Sequence, residues 1–528
     1  MAGAAFIGVD VGSGSVRAGV FDRAGAELAF AVRPILQFNP RANVFEQSSG
    51  DIWAQTGAAV RAAVAQAGIA PDTIGGIGFD ATCSLVAVGP EGAPVSVAED
   101  ADSARDIIMW MDHRAVAEAA AINATHDPAL AYVGGEVSVE MELPKILWLR
   151  RHFPDRHAAI WRYFDLADYM VWRATGADLA SVCTLTCKWN YLSHEQRFSA
   201  GLLDAVGLSD LPRLVPSDVR QLGSAAGCLS AQAAADLGLP VGTVVATGII
   251  DAHAGGVALL GAAPEGGLAI ISGTSCCHLA VSRQPIMVPG VWGPYFGAML
   301  PGWWLNEGGQ SAAGSLIDWT LRQHDAWPAL QAAAAETGRS VYDIANEWVA
   351  ALQTREAEPT RDLHVLPDHH GNRSPRADPL SRGMIAGLTL EHGQDALARQ
   401  YLATVQALAY GTRHIIDSLN AAGHRITRVV MTGGGTRNKT LLREHADATG
   451  CDLHLGAEEQ AVTLGAAMLA ATASGAFADL PSAAAAMSHV GETIHADPAR
   501  HAFHDAKYAV YLGMYDDWCR YRNMMQQG

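Results

Sequence analysis

The sequence predicts two α/β domains that face one another across a cleft, and three observations support this fold class. The chain has 528 residues, which is too long for one ordinary hydrophobic core. Segments with strand character alternate with helical segments in both halves. A strand, a Gly/Ser-rich turn and a second strand open the chain, and the same order recurs near residue 262. We therefore expect a duplicated α/β unit.

The composition is that of a globular protein. Hydrophobic residues make up 49% of the chain and charged residues 17%, which is typical of a packed core and not of disorder. The net charge is −18, and no basic block or basic stripe interrupts it. This argues against nucleic acid and anionic membranes as partners. The most apolar stretch, 244–263, contains Asp251 and His253, so it does not predict a membrane span.

The eight cysteines lack the spacing of a disulfide framework. Cys183 and Cys187 have no second zinc-type pair, and the adjacent Cys276 and Cys277 are poorly placed to bond with each other. The opening MAGAAFIGVD has no basic region followed by an apolar signal segment. We therefore expect reduced thiols and a cytoplasmic location.

In the first half, three short strands are predicted at AAFIGVDVG, SVRAGVFD and AELAFAVR, with turns between them. A helix follows in DIWAQTGAAVRAAVAQAG and opens on Asp51. The stretch IGGIGFDATCSLVAVGPEGAPV returns to strands around a GPEG turn, and PKILWLRRHF is predicted to be helical. TVVATGII is expected to be a strand that leads into a helix at Asp251.

In the second half, GLAIISGTSCCHLAVS repeats the order of strand, turn and strand. ITRVVMTGGGTRN is a strand that runs into three glycines, and the helix KTLLREHADATG follows it. EEQAVTLGAAMLAATASG is a helix rich in Ala and Gly, which can approach another backbone closely. Residues 354–382 are the longest segment of turn-forming residues. A loop of this length inside a compact domain is usually ordered and functional.

The first glycine-rich turn, DVGSGSVR, is a candidate phosphate site, and three architectures compete for it. A dinucleotide fold needs a third glycine where Arg17 stands, and a helix where a strand follows. A P-loop needs a lysine, which this stretch lacks. A hairpin remains, whose turn offers backbone N–H groups and serine hydroxyls to phosphate, with Asp10 placed to hold Mg²⁺ through water. An ordinary tight hairpin without a ligand is the alternative.

The second turn, SGTS at 272–275, favours the phosphate hypothesis. Two similar turns, one from each half, can face each other and hold one triphosphate between the domains.

Six motifs in order resemble the FGGY carbohydrate kinases: DVGSGSVR, KILWL, GIIDAH, SGTS, RGMIAGL and GGGTRN, over about residues 6–475. The segments DATCSLV, WMDHRA, CKWNY, NEGGQSAAG and HHGNRSPRADP further resemble the ribulokinase-like branch. The resemblance implies two actin-like ATPase (ribonuclease H-like) domains around a central cleft. Two departures are that Ser13 stands where the family commonly has Thr, and that the stretch after GMIAGL is longer than usual.

The resemblance implies a domain organisation. Residues 1–261 would form the FGGY N-terminal domain with the sugar site, the first phosphate loop and the catalytic aspartate. Residues 262–480 would form the ATP-binding C-terminal domain, and 481–528 a helical extension packed on the body.

The resemblance also assigns site residues. Asp251 would be the catalytic base, which orients the terminal hydroxyl of the sugar and accepts its proton; a helix N-cap is the alternative role. Its pKa need not be raised for this, because the ionised carboxylate is the form required. The other sugar-binding candidates are Asp80, Ala81, Thr82, Cys83, Lys188 and Glu307. For Lys188 and Glu307 the alternative is a surface lysine and a turn carboxylate.

The nucleotide would be ATP, with Mg²⁺ held by Asp10 through water. Three successive glycines let backbone pass against ribose and adenine, and Asp318 stands where the family often has an amide. The candidate contacts are Asp10, Gly12, Ser13, Gly14, Ser15, Arg17, Gly273, Thr274, Gly314, Gly434 and Asn438.

Two further clusters have open interpretations. Trp110, Asp112 and Arg114 either wall the sugar pocket or contain a structural Asp–Arg pair. The segment 364–370, with His364, Asp368, His369 and His370, either holds a metal ion or is a loop without one, and its spacing does not match a zinc pattern.

The function implied is ATP-dependent phosphorylation of a ketopentose, with the sugar deep in the first domain. D-Ribulose is the expected substrate, and L-ribulose and ribitol are alternatives. A non-catalytic nucleotide-binding sensor and a nicotinamide-dependent oxidoreductase are alternatives of other classes. The partners expected are the sugar and ATP, with a homodimer left open.

Overall fold

A computed structural model of the chain describes residues 5–526. Residues 1–4 and 527–528, at the outer ends of the predicted domains 1–261 and 481–528, lie outside the described residues. Two seven-stranded sheets dominate the structure, one in each half of the chain. Within the described range, no helix combines the length and the apolar character needed to cross a membrane.

From residue 5 onward, the first half contains sixteen strands. They are β1 (Ala5–Val11), β2 (Ser15–Asp22), β3 (Glu27–Pro34), β4 (Gln37–Arg41), β5 (Val44–Gln47), β6 (Ile74–Ala81), β7 (Leu85–Val88), β8 (Ile107–Ile108), β9 (Arg162–Asp165), β10 (Leu179–Ser181), β11 (Tyr191–Leu192), β12 (Arg197–Phe198), β13 (Asp218–Arg220), β14 (Ala225–Cys228), β15 (Val244–Ala246) and β16 (Ile249–Ile250). Its helices are α1 (Ser49–Ala67), α2 (Val116–Asn123), α3 (Glu142–His152), α4 (Pro154–Ala158), α5 (Leu166–Thr175), α6 (Val182–Lys188), α7 (Ala200–Val206), α8 (Leu211–Leu214), α9 (Ala231–Leu237) and α10 (Asp251–Leu260).

The second half contains the remaining elements. Its strands are β17 (Gly267–Ser272), β18 (Cys276–Ser282), β19 (Trp292–Phe296), β20 (Trp304–Gln310), β21 (His364–Leu366), β22 (Met384–Ala386), β23 (Arg428–Thr432), β24 (Asp452–Gly456) and β25 (Val490–Ile494). Its helices are α11 (Gly314–Gln323), α12 (Trp327–Thr337), α13 (Val341–Arg355), α14 (Gln394–Ala422), α15 (Lys439–Thr449), α16 (Ala461–Ala473), α17 (Leu480–Met487) and α18 (His501–Gln526).

The two large sheets share one topology, as the recurring sequence pattern predicts. In the first, β1 pairs antiparallel with β2 and parallel with β6, and the strands run in the order β14-β15-β6-β1-β2-β3, with β16 also paired to β6. In the second, β17 pairs antiparallel with β18 and parallel with β23, in the order β19-β20-β18-β17-β23-β24-β25. The fold is therefore a duplicated α/β unit.

The Ala- and Gly-rich helix α16 comes from the second half but packs on the first sheet, against β1 and β6, and on α10. A side chain at Gly78 of β6 would collide with the backbone carbonyl of Ala466 in α16. Small residues let the helix and the sheet approach this closely, which agrees with the prediction for this helix. The two halves are thereby joined through buried backbone surfaces.

Three local predictions are corrected in detail. The first helix has Ser48 as its N-cap, whose hydroxyl accepts from the Asp51 backbone N–H, so Asp51 lies in the first turn. The predicted strand TVVATGII is two short strands, β15 and β16, which both pair with β6. The segment 354–382 contains a strand, β21, which pairs with β22.

The C-terminal helix α18 packs on the second half. Tyr508 and Tyr511 join a cluster with Tyr410 of α14, and the Tyr410 hydroxyl lies 2.9 Å from Nδ1 of His504.

Candidate active site

Three carboxylic acids meet at one edge of the first sheet. Asp10 in β1 and Asp80 in β6 are neighbours in the parallel register. Ile249 of β16 pairs with Asp80, and Asp251 follows at the first position of α10. Because carboxyl ends of parallel strands share one edge, residues far apart in sequence converge here.

The environment of these acids favours their neutral forms. Burial raises the pKa of Asp80 well above its usual value, and the charges of Asp10 and Asp251 raise it further. Both carboxyl oxygens of Asp80 are buried and lack a hydrogen-bond partner among the described residues. Burial and then Asp10 raise the pKa of Asp251 to about 7. The expectation that this pKa would be ordinary is therefore corrected, because like charges crowd a partly buried edge.

The Asp251 carboxylate is partly exposed, and its Oδ1 accepts a hydrogen bond from the Ala252 backbone N–H at 2.6 Å. The N-cap of α10 is Ile250, so Asp251 stands inside the helix and not at the cap.

The first glycine-rich turn joins β1 to β2 as a hairpin. The Gly12 N–H donates to the Ser15 carbonyl at 3.0 Å, and Gly14 is exposed at the tip. Trp110 Nε1 donates to the Ser13 hydroxyl at 2.9 Å. Arg17 Nη1 donates to Asp10 Oδ2 at 2.8 Å. Burial raises the pKa of Asp10, and Arg17 opposes that rise.

A cavity of about 250 Å³ lies between strands β1 and β2 of this hairpin and the second half of the chain. Asp10 and Arg17 line one side of it, and Gly433, Gly434 and Thr436 line the other. The three-glycine segment and the two strands that flank the first turn therefore line one cavity.

The second turn lies beside the same glycines. The Gly273 N–H donates to the Ser275 carbonyl at 2.9 Å, and the Gly314 N–H donates to the Gly273 carbonyl at 3.1 Å. Gly433 has a positive φ of 91° and passes so close to the Ser272 carbonyl that a Cβ would collide with it. Gly273 and Thr274 are exposed, so their remaining polar groups are accessible to a ligand.

Asn438 and Asp318 serve the local structure. Asn438 caps α15 by accepting from the Leu441 N–H at 3.1 Å, and its Nδ2 donates to the Tyr401 hydroxyl at 2.8 Å. Asp318 accepts from Arg322 Nε at 2.6 Å on the helix surface.

Lys188 and Glu307 are brought together from opposite halves. Lys188 ends α6 and Glu307 lies in β20, and Nζ is 3.8 Å from Oε2. Lys188 Nζ also lies 4.4 Å from the ring centroid of Trp292, within the range of a cation–π interaction. Burial would raise the pKa of Glu307, but Lys188 and a hydrogen bond from His253 lower it to about 2. The surface alternative for these two residues is wrong, since both are buried.

His253 extends this pair. Its Nε2 lies 3.1 Å from Glu307 Oε2, and its Nδ1 lies 3.2 Å from Cys183 Sγ. Burial would lower the pKa of His253, but Cys183 and Glu307 raise it to about 9. His253 belongs to the motif GIIDAH, in which the sequence indicated a role for Asp251 and none for the histidine.

Arg373 is a residue that sequence reasoning missed. It comes from the segment 354–382, and its guanidinium lies 5.3 Å from the Trp292 ring centroid. Arg373 Nη2 lies 3.4 Å from Glu140 Oε2. Burial would raise the pKa of Glu140, but Arg373 and then His113 lower it to about 2. The long ordered loop therefore places the Arg373 guanidinium near Lys188. The expectation that this loop is functional was the only sequence signal that pointed to Arg373.

The turn after Asp80 is buried beneath the site. Ala81 ends β6, and the Thr82 N–H donates to the Val11 carbonyl at 3.0 Å. Cys83 is buried, and burial raises the pKa of its thiol well above the usual value although Lys188 opposes this. Cys83 is thus a buried packing thiol near Lys188.

One of the two open interpretations is decided by the geometry. Arg114 Nη2 lies 2.8 Å from both Asp112 and Glu46 in a buried network, so Asp112 and Arg114 form a structural pair. Asp368 accepts from Asn372 and Ser381. Among the residues 5–526, the cluster with metal-ligand spacing is instead Cys183, Cys187 and His253.

The fold is shared with solved sugar kinases. The structure superposes on that of a xylulose kinase from Rhodospirillum rubrum with a TM-score of 0.82 and 24% identity, over 98% of this chain and 99% of that one. This likeness confirms the predicted fold of two actin-like ATPase domains.

Residues 5–258 match the model of the FGGY family of carbohydrate kinases, N-terminal domain, and residues 268–474 match the C-terminal domain of that family. The chain belongs to the FGGY family of carbohydrate kinases, and the resemblance found in the sequence is confirmed. A human FGGY carbohydrate kinase domain-containing protein is 44% identical, covering 98% of each chain. A D-ribulokinase of Saccharomyces cerevisiae is 37% identical over 89% of this chain and 72% of its own. The protein is therefore a carbohydrate kinase.

Proposed function

We propose that the protein transfers the γ-phosphoryl group of ATP to the terminal hydroxyl of D-ribulose, with Asp251 as the general base. The observation that carries this proposal is that Asp251 begins the helix whose His253, two residues later, lies 3.1 Å from Glu307, the partner of Lys188 at the junction of the two halves. The similarity to a yeast D-ribulokinase supports the choice of substrate.

The acceptor side of the mechanism uses residues of this chain. Lys188 donates to sugar oxygens, and Glu307 accepts from sugar hydroxyls, in a buried setting where such bonds are strong. Asp251 accepts the proton of the terminal hydroxyl as its oxygen bonds to phosphorus. A pKa near 7 suits this role, because a base is most effective when its pKa lies near the working pH. Asp80, Ala81, Thr82 and Cys83 form the floor under the sugar.

The donor side is held by the two turns. The triphosphate contacts proposed are the first turn with Gly12, Ser13, Gly14, Ser15 and Arg17, and the second turn with Gly273 and Thr274. Gly314, Gly434 and the backbone at Asn438 border the adenosine. These groups supply backbone N–H donors and hydroxyls, which suit phosphate oxygens.

The residues present also fit a magnesium ion. Asp10 lies at the cavity, and the two Asp80 oxygens beneath it have no partner among the described residues. Oxygen ligands of this kind are those that Mg²⁺ takes, often through water. When bound, the ion would neutralise charge on the transferred phosphoryl group.

Closure of the two domains would exclude water from the cleft and limit ATP hydrolysis in the absence of sugar.

For the domains themselves we propose the limits 1–261, 262–480 and 481–528. We further propose that the enzyme is cytoplasmic and that ATP and the sugar are its partners. The eight cysteines are all free thiols, which supports a reducing compartment.

The deciding experiment is a panel of pentuloses and pentitols, including D-ribulose, L-ribulose and ribitol, with kcat/KM measured for each. D-Ribulose is expected to have the highest kcat/KM. If L-ribulose or ribitol has a higher kcat/KM than D-ribulose, that compound is the substrate and the proposed one is wrong. If none of the compounds stimulates ADP release, a nucleotide sensor is favoured over a kinase.

A further inference from the structure

Two cysteines and a histidine form a buried cluster behind the sugar site. Cys183 and Cys187 lie one turn apart in α6, and His253 lies in the first turn of α10. His253 Nδ1 is 3.2 Å from Cys183 Sγ and 3.9 Å from Cys187 Sγ. The three ligand atoms all lie within 4.8 Å of one another. All three side chains are fully buried.

These distances are those of a shared tetrahedral ion. With Zn–S of about 2.3 Å and Zn–N of about 2.0 Å, a tetrahedral site separates sulfur from nitrogen by about 3.5 Å. The two observed distances lie on either side of that value. A cation between the three atoms would therefore change each of these two distances by less than about 0.5 Å.

The opposite side of the imidazole is also arranged as in metal sites. His253 Nε2 lies 3.1 Å from Glu307 Oε2, so the ring has two sulfur atoms on one nitrogen and a carboxylate on the other. Histidine ligands of metals commonly donate their second N–H to a carboxylate, which fixes the tautomer and the orientation of the ring. The polar partner of the second nitrogen is thus already in place.

We propose that Cys183, Cys187 and His253 bind one thiophilic d¹⁰ cation, with zinc as the expected ion. Two thiolates balance a divalent charge, and sulfur and imidazole ligands select zinc or Cu(I) over magnesium. The site is therefore distinct from the oxygen-lined position at Asp10. Three protein ligands leave a fourth position for a water molecule.

The ion would connect two elements of the active site. Cys187 directly precedes Lys188, and His253 follows Asp251 by two residues. A bound cation therefore crosslinks α6, which ends in the sugar-site lysine, to the start of α10. Because the ion binds the folded chain, it raises the melting temperature.

The test uses the full chain, stripped of metal by a chelator and without sugar or ATP. Zinc alone is titrated by calorimetry, and Co²⁺ is added in parallel as a spectroscopic probe. We expect one equivalent of zinc, a thiolate-to-cobalt charge-transfer band, and a melting temperature that rises with zinc. The matched control Cys228→Ser, which changes an exposed cysteine, is expected to retain all three.

The variant Cys183→Ser/Cys187→Ser is expected to lose the band and the zinc-dependent rise in melting temperature. A band that persists in this variant would place the metal elsewhere and overturn the proposal. The wild-type chain alone also tests the proposal, so the test does not require the double variant to fold. If the wild-type chain shows neither a cobalt–thiolate band nor a zinc-dependent melting temperature, the three residues are a hydrogen-bonded core cluster and the proposal is wrong. Metal binding is measured without turnover, so a failure of the proposed kinase substrate would leave this result unaffected.

Discussion

Lys188 Nζ lies 3.8 Å from Glu307 Oε2, and this ion pair joins a helix of the first half to the second sheet. The sugar site that we propose therefore takes residues from both halves of the chain. Trp292 and Arg373 also come from the second half, and the Lys188 and Arg373 cations both lie over the Trp292 ring. Any relative movement of the halves would alter this site directly.

Asp251→Asn is expected to lower kcat by about 100- to 10,000-fold, because an amide cannot accept the hydroxyl proton. Binding of ATP and sugar, measured by calorimetry, should change little. The exposed Asp516 in α18 offers a control, and Asp516→Asn should keep the wild-type kcat. A near-normal kcat for Asp251→Asn would remove the carboxylate from the role of base.

Glu307→Ala is expected to raise the sugar KM far more than the ATP KM. It also leaves Lys188 and His253 without their carboxylate, and breaking a buried pair in this way costs about 3–5 kcal/mol of folding stability. Glu307→Gln also removes the charge but keeps the volume and an accepting oxygen, so comparing it with Glu307→Ala separates the loss of charge from the loss of packing. Steady-state kinetics and urea unfolding measure them, and equal rises in both KM values would contradict the sugar-site assignment.

Arg373→Met should raise the sugar KM and leave the ATP KM near its wild-type value, because the change removes the charge beside Trp292 and Glu140 but keeps much of the chain length. Arg361→Met is the matched control, since its side chain is 68% exposed in the same segment. If both variants behave alike, the segment 354–382 has no part in sugar binding.

Arg17→Met is expected to raise the ATP KM by about 10- to 100-fold, the effect of losing one charge-assisted contact. Arg17 borders the cavity that also contains Gly433 and Gly434, so the sugar KM should remain near its wild-type value. Kinetics at saturating sugar and varied ATP provide the measurement, and a selective rise in sugar KM would refute the assignment.

Gly78→Ala should destabilise the fold by about 1–3 kcal/mol, since the added methyl group overpacks the contact with Ala466. Gly513→Ala makes the same chemical change in α18, where a Cβ meets nothing within 4 Å. It should stabilise that helix by about 0.5–1 kcal/mol. Thermal unfolding of the two variants compares them, and equal stabilities would mean that α16 does not press on the sheet.

Much of the fold could be predicted because its signals are local. Short sequence patterns were enough to predict tight turns and close packing. They are the Gly/Ser turn after Asp10, the three glycines before Asn438 and the small residues of α16. Repetition of the same local order near residue 262 was enough to predict the duplicated unit. The ends of helices were harder to predict where a cap residue sets them. Helix α1 was expected to begin at Asp51, but its N-cap is Ser48.

The sequence by itself determined the strands, the turns and the position of Asp251 where a strand meets a helix, because these depend on neighbouring residues. Only the tertiary structure decided that Lys188 meets Glu307, that Arg373 enters from a distant loop, and that Cys183, Cys187 and His253 share one cluster. Such contacts depend on the order of strands in the sheets and on how the halves pack. The raised pKa of Asp251 has the same origin, since it comes from burial beside Asp10, a residue of another strand.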